Sequence, residues 1–331
     1  VLSSLMAFAA RGAVNALREP AETEPDPNKP QSAMMLCVPL FHVTGLVPVM
    51  LGAFVGGSKL VMTYKWDPER ALELIERERV TNFVGVPTMS WDLLEAPSFA
   101  ERDTSSLLAV GGGGAPMPPE LVKRIEDNFS KGRPSLGYGM TETNAYGPGN
   151  AGDDFIAHPT STGRAVPLMD LRVTDPLGNV LTTGETGEIW FRGPMLIRGY
   201  WNRPDATADT IVDGWLRSGD IGRIDEHGRL VLSGRKKNII VLPNGLNVFP
   251  EDIENVLQDH GLNQAVVLET APGRIEAVVM PPGTLPLLAP GRGGHPRQVS
   301  ASTAMSAAAT ATRSKRSASS RTPVTAYPTF S

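Results

Sequence analysis

Residues 58–87, SKLVMTYKWDPERALELIERERVTNFVGVP, decide the class of fold. Ser58–Met62 is a short apolar run with β character. Asp67-Pro68-Glu69 then carries a helix start: an N-cap oxygen, a proline suited to the first helical position, and an acid in the first turn. Ala71, Leu72, Leu74 and Ile75 follow at helical spacing with charges on the opposite face. Thr81–Val86 returns as an apolar strand that Pro87 ends. A strand, a covering helix and a second strand in succession make a βαβ unit, and such units build parallel sheets.

The pattern extends in both directions. Leu36 opens the alternating region, which runs to about Pro167. A helix is predicted through Trp91 and Leu94, then a strand at Leu107–Val110, then the run Gly111–Gly114. Pro118 and Pro119 open a helix over Glu120–Asn128, and a strand follows near Ser135–Leu136. The fold class is therefore α/β, a parallel sheet with helices on both faces. After Thr162 the texture changes to short strands at Leu171–Val173, Gly187–Phe191 and Leu230–Ser233, separated by turn groups such as Asp175-Pro176-Leu177-Gly178-Asn179. A small mixed segment occupies Gly234–Val279, with a helix at Pro250–Asp259 and strands at Ala265–Leu268 and Ile275–Met280. The expected organisation is 1–167 as a partial α/β subdomain, 168–233 as a β-rich subdomain, 234–280 as the start of a small α+β domain, and 281–331 as a disordered tail.

Composition narrows the function. The 331 residues carry a net charge of −4. Six cations and no acid lie beyond Pro281, which leaves residues 1–280 at −10. An acidic body argues against broad nucleic-acid binding, which needs clustered positive charge. The basic Ser/Ala-rich tail meeting a nucleic acid or an anionic membrane is the weaker alternative, an interaction protein. The single cysteine, Cys37, sits in an apolar run and reads as a buried structural thiol. Val43–Val55 is too short and too interrupted to span a bilayer. The start lacks a signal-peptide pattern and an initiator methionine, so a cytoplasmic protein whose chain begins inside a longer one is expected.

The chemistry concentrates in Gly137-Tyr138-Gly139-Met140-Thr141-Glu142-Thr143. Two glycines around an aromatic ring, then a hydroxyl beside a carboxylate, suit a tight turn that offers a stacking face to a base and hard oxygens to Mg²⁺. A plain strand–turn with a solvated glutamate is the bland reading. Gly113-Gly114-Ala115-Pro116 closes the glycine run, which lets backbone approach a ligand. It is neither a GxGxxG fingerprint nor a lysine-bearing P-loop. Gly214 to Asp220 and Gly234-Arg235-Lys236-Lys237-Asn238 complete the set. Asp220 is equally compatible with a loop acid, and Arg235–Lys237 with a solvated charge run.

In this order, together with Pro39-Leu40-Phe41-His42-Val43-Thr44-Gly45, Gly85-Val86-Pro87-Thr88-Met89, Gly187–Pro194 and Gly199-Tyr200-Trp201, these pieces resemble the adenylate-forming superfamily. That superfamily includes acyl- and aryl-CoA synthetases, luciferases and peptide-synthetase adenylation domains. The resemblance spans about Leu36–Met280. It implies a large multi-layer α/β N-terminal domain, here partial, with a β-rich subdomain and a partial small C-terminal α+β domain. The implied activity is an AMP-forming acid–CoA ligase using ATP, Mg²⁺ and coenzyme A. By position, Tyr138 would stack on adenine, with Gly137, Gly139 and Met140 shaping its turn. Gly113, Gly114, Ala115 and Pro116 would wall the nucleotide and part of the acyl pocket. Thr141 would bind phosphate oxygens, and Glu142 would ligate the metal. Asp220 and Arg235 would hold ribose, and Lys237 matches a hinge. His42 would stand at the acyl pocket, with a locally bonded structural histidine as the alternative.

The loop Leu242–Val248, centred on Gly245, resembles the hairpin lining the CoA tunnel. Its length leans toward fatty acids. Small-molecule partners are implied, with no transmembrane segment and room for peripheral membrane contact. Two family elements have no match: the phosphate loop expected before Val1 and a late catalytic lysine. The change of pattern near Arg297 has the look of a frame change. This chain is therefore expected not to complete adenylation at a useful rate. An adenylate-binding remnant without turnover, or an adenylation domain, are the alternative functions.

Overall fold

The computed structural model describes residues 1–16, 31–243, 247–259, 262, 265–271 and 273–279. Residues 281–331, expected as a tail, lie outside the described residues. Two compact units emerge: Val1–Ser218 with Gly222–Leu232, and Gly219–Ile221 with the chain from Ser233 onward.

The first unit begins with helix α1 (Leu2–Ala16) and is built on strands β1 (Ala33–Leu36), β2 (Lys59–Met62), β3 (Asn82–Gly85), β4 (Ala109–Gly113) and β5 (Arg133–Gly137). These five run parallel in the order β2-β1-β3-β4-β5. The first crossover is a π-helical turn, Gly45–Leu51, continued by α2 (Gly52–Val55). The others are α3 (Pro68–Glu78), α4 (Pro87–Glu95) and α5 (Pro119–Asn128). Because the order reverses after β2, α3, α4 and α5 pack side by side, whereas α1, α2 and the π-helical turn form a separate group. A parallel sheet sandwiched in this way can be apolar on both faces. Met35, Phe83, Leu72, Ile75, Leu93, Leu121 and Ile125 are accordingly fully buried in one cluster.

The helix start at Asp67 forms as its sequence requires. Asp67 lies in extended backbone and accepts the Arg70 amide at 3.0 Å, with Pro68 at the first helical position. Cys37 is buried and its thiol donates to the Val84 carbonyl at 3.5 Å. Burial pushes that thiol up to about 12.

The fourth parallel strand departs from the sequence pattern. The strand expected over Leu107–Val110 is shifted to Ala109–Gly113, so the glycines belong to the strand itself. The reason is steric. A Cβ at Gly111 would lie on the Ser135 carbonyl, one at Gly112 on the Gly85 carbonyl, and one at Gly113 on the Gly137 carbonyl. The neighbouring strands come closer than any side chain allows.

Beyond β5 the direction of pairing changes. Strands β6 (Gly149–Ala151) and β7 (Gly163–Arg164) are antiparallel, on either side of α6 (Gly152–Ala157). The path continues through β8 (Asp170–Thr174), β9 (Gly187–Arg192), β11 (Trp215–Ile224) and β12 (Arg229–Arg235) in the order β7-β12-β11-β9-β8, and β10 (Ile211–Val212) pairs antiparallel with β11 off that path. The short helix α7 (Pro204–Thr210) precedes β10. A second core forms here around Tyr146, Ile189, Phe191, Met195, Leu216 and Leu230. Arg172 stacks over Trp215 at 4.0 Å and over Trp190 at 4.7 Å, tying β8, β9 and β11 by cation–π contact.

The second unit holds the hairpin pair β13 (Ile240–Val241) and β14 (Asn247–Val248), helix α8 (Pro250–Asp259), and the antiparallel pair β15 (Ala265–Ala271) and β16 (Arg274–Val279). Glu254 on α8 accepts the Val267 amide at 2.8 Å, fixing the helix to β15.

Candidate active site

In an open parallel sheet the loops after the strands' carboxyl ends meet in a crevice where the strand order reverses. Here that reversal lies between β1 and β3. The quoted segments leave those carboxyl ends: Pro39–Gly45 follows β1, Val86–Met89 follows β3, Gly114–Pro116 follows β4, and Tyr138–Thr143 follows β5. Gly113 and Gly137 are direct register partners, so the glycine wall and the Tyr138 turn leave the sheet side by side. Gly113 is buried, while Gly114, Ala115, Pro116, Gly137 and Thr141 are exposed.

The turn after β5 is tightly specified. Thr141–Thr143 is a single 3₁₀ turn; the Thr143 hydroxyl accepts the Met140 amide at 3.1 Å, and the Thr143 and Ala145 amides both bond the Met140 carbonyl. Asn144 takes the left-handed conformation at φ 52°. The Tyr138 amide bonds the Pro148 carbonyl at 2.8 Å, closing the loop on itself. A Cβ at Gly147 would overlap the Tyr138 carbonyl, so a glycine is required there. Tyr138 is half-buried and its ring lies 5.6 Å from that of Phe191, tilted by 52°. Behind it, the fully buried Tyr146 donates to the Pro167 carbonyl at 3.0 Å and meets Phe8 edge-on.

Glu142 is held from a second segment, Met195–Tyr200, by bonds that local sequence does not reveal. Its backbone carbonyl accepts the Ile197 amide at 2.9 Å. Its carboxylate oxygen Oε1 accepts the Tyr200 hydroxyl at 2.6 Å, across 58 residues of chain. Next to it, the Asn144 side-chain amide donates to the Met195 carbonyl at 2.7 Å. Burial, then the bond to Glu142, raise the Tyr200 phenol above its ordinary range. Among the described residues no three His, Cys, Asp or Glu side chains gather into a metal cage. A lone carboxylate fits Mg²⁺, which keeps several waters and is completed by nucleotide phosphates.

His42 is exposed, and its Nδ1 accepts the Thr44 amide at 3.2 Å. A neutral ring so bonded carries its proton on Nε2. The locally bonded arrangement is thus present, at the end of β1 that opens on the crevice.

Asp220, Arg235 and Lys237 belong to the second unit. Asp220 is 5% exposed and pairs with the Arg235 Nε at 2.7 Å. Lys237 is exposed in a 3₁₀ turn, Lys236–Asn238, next to an Asn238 amide that donates to Glu251 at 3.1 Å. Gly245 lies outside the described residues, as do Asn244 and Leu246. Sequence reading thus named both sides of the Asp220–Arg235 pair. It quoted Tyr200 only as part of a motif and gave it no role.

A family model described as AMP-binding enzyme matches residues 7–201, more than half of the chain. The chain belongs to the AMP-binding enzyme family. As a member of that family it is 34% identical over 239 residues to a long-chain-fatty-acid–CoA ligase of Bacillus subtilis, covering 71% of this chain and 42% of that one. It is 37% identical over 227 residues to a feruloyl-CoA synthase of an Amycolatopsis species, covering 67% and 45% respectively. The solved O-succinylbenzoate coenzyme A synthetase of Bacillus subtilis, in complex with ATP and magnesium ion, superposes with a TM-score of 0.69. It is 26% identical and covers 82% of this chain and 55% of that one. The chain spans less than half the length of the two curated relatives. The match to the AMP-binding family covers the α/β sheet, the Tyr138 turn and the segment carrying Tyr200. No helix among the described residues is long and apolar enough to cross a membrane.

Proposed function

We propose that this chain is part of an AMP-forming acid–CoA ligase and supplies its adenylate- and metal-side contacts. The observation that carries the reading is the turn after β5. It sets an aromatic ring, a threonine hydroxyl and a doubly held glutamate at the crevice end of the sheet, beside an exposed glycine-rich wall.

In this reading a carboxylate oxygen of the acid attacks the α-phosphorus of ATP, and the bond to pyrophosphate breaks. The CoA sulfur then attacks the acyl carbonyl carbon, and AMP leaves. Both partners of the first step are anionic, so the site must offset repulsion. Bound Mg²⁺ would supply positive charge to the phosphates, and Glu142 would hold it. Thr141 would donate to phosphate oxygens from its exposed position. Tyr138, backed by Phe191, would give the adenine a fixed face, with Gly137, Gly139 and Met140 setting its turn. Gly113, Gly114, Ala115 and Pro116 would line the nucleotide. Asp220 would accept the ribose hydroxyls with Arg235 beside it; their mutual bond pre-orients both. His42 would stand by the reacting carboxylate, Lys237 would act as hinge, and Gly245 would border the CoA thiol's path. The acid is a fatty acid in this proposal, supported by the ligase relative named above and by the length of the Leu242–Val248 loop. The same reading puts the protein in the cytoplasm, where ATP and CoA are supplied. It keeps the four-part division at 167, 233 and 280.

The test is calorimetric binding of non-hydrolysable acyl-adenylate analogues with alkyl and aryl acyl groups. We expect the alkyl form to bind, and Asp220→Ala to weaken it about tenfold or more, the loss of a hydrogen-bonded charged acceptor. An analogue that binds no better than free carboxylic acid would sink the ligase reading. A preference for the aryl form would sink the fatty-acid assignment alone.

A further inference from the structure

We propose that Tyr200 is a positioning residue for Glu142: its hydroxyl holds one carboxylate oxygen so that the other is presented to the metal–nucleotide. The proposal rests on the reading of Glu142 as the metal-side carboxylate.

Three observations carry it. The Tyr200 hydroxyl donates to Glu142 Oε1 at 2.6 Å, a short bond of the charge-assisted kind. The second observation is how rigidly Tyr200 is seated. Its amide donates to the Thr207 Oγ at 2.9 Å, and that hydroxyl donates to the Arg203 carbonyl at 2.8 Å. Gly199 packs against Thr207 so closely that a Cβ would come within 2.7 Å of its methyl carbon.

The third observation separates positioning from mere support. The segment 195–200 is already tied to the turn by the Ile197 amide on the Glu142 carbonyl and by the Asn144 amide on the Met195 carbonyl. Removing the phenol hydroxyl leaves both ties. It frees only the rotation of the Glu142 carboxylate, on which metal coordination depends.

The experiment measures ATP affinity by calorimetry in EDTA and in excess Mg²⁺, using the full chain. The ratio of the two dissociation constants isolates the metal's contribution. We expect Tyr200→Phe to shrink that ratio about tenfold, as outer-shell losses do. Affinity in EDTA should stay unchanged, with the melting point lower by no more than about 4 °C. Glu142→Gln should remove the metal's contribution outright. If Glu142→Gln removes it and Tyr200→Phe leaves it intact, the positioning role is overturned while the ligase reading stands. An unchanged ratio in Glu142→Gln overturns the metal reading and this inference with it. A loss of EDTA affinity in Tyr200→Phe also overturns it, since Tyr200 would then act on the nucleotide or the fold.

Discussion

Replacing Gly112 by alanine tests whether the glycine run serves the sheet before it serves a ligand. Gly112 pairs with Gly85 on β3 and with Leu136 on β5. A Cβ there would sit on the Gly85 carbonyl group, backbone that cannot rotate away. Relief requires β3 and β4 to separate by about 1 Å or more, beyond the range of good hydrogen bonds. Two or three ladder bonds at about 1 kcal/mol each, plus about 1–3 kcal/mol of overpacking strain, sum to about 3–6 kcal/mol. That is a large share of the roughly 5–15 kcal/mol that holds a domain. With a urea slope of about 3 kcal/mol/M, the midpoint falls by about 1–2 M. Gly114→Ala is the control. Gly114 is exposed at φ 83°, and its nearest neighbour, a Val86 methyl carbon, would be 3.9 Å from the new Cβ. It should lose only the left-handed penalty of about 1–2 kcal/mol. Tryptophan fluorescence in a urea titration reads both. The steric account fails if Gly112→Ala stays within about 1 kcal/mol of the parent, or if Gly114→Ala is the more damaging change.

Two further outcomes follow from single residues. Cys37 should resist thiol reagents at pH 8 in the folded chain and react fully once urea unfolds it. Its folded pKa is raised from 9.0 to about 12, so its contribution is complete below pH 9 and is lost as pH climbs toward 12. Urea midpoints of the parent and of Cys37→Ala should therefore converge above pH 9, the parent losing about 1.4 kcal/mol per pH unit more than the variant; parallel pH profiles would contradict this. Asp67→Ala removes the cap on the Arg70 amide and should cost about 1 kcal/mol in the same titration, with no change in nucleotide affinity.

The legibility of this molecule follows the range of its interactions. Asp67, Pro68 and the apolar face of α3 act within a few residues, so the βαβ unit could be read directly. The Tyr138 turn was legible for the same reason, because its bonds from Met140 to Ala145 are local. The strand at Ala109–Gly113 was misplaced because glycine has no intrinsic strand preference. Only the approach of β3 and β5 demands it there.

Sequence alone determined the α/β class and the family resemblance, and it supplied the residues proposed for adenine, ribose and metal, since each depends on side-chain type and short spacing. The order β2-β1-β3-β4-β5 depends on which strands meet across long crossovers, and only the tertiary structure decided it. With it came the common edge from which His42, Gly114 and Tyr138 leave the sheet. The same holds for the seat of Glu142. A hydrogen bond across 58 residues leaves no periodicity, cap or turn signal near either partner, so Tyr200 becomes visible only once the chain has folded.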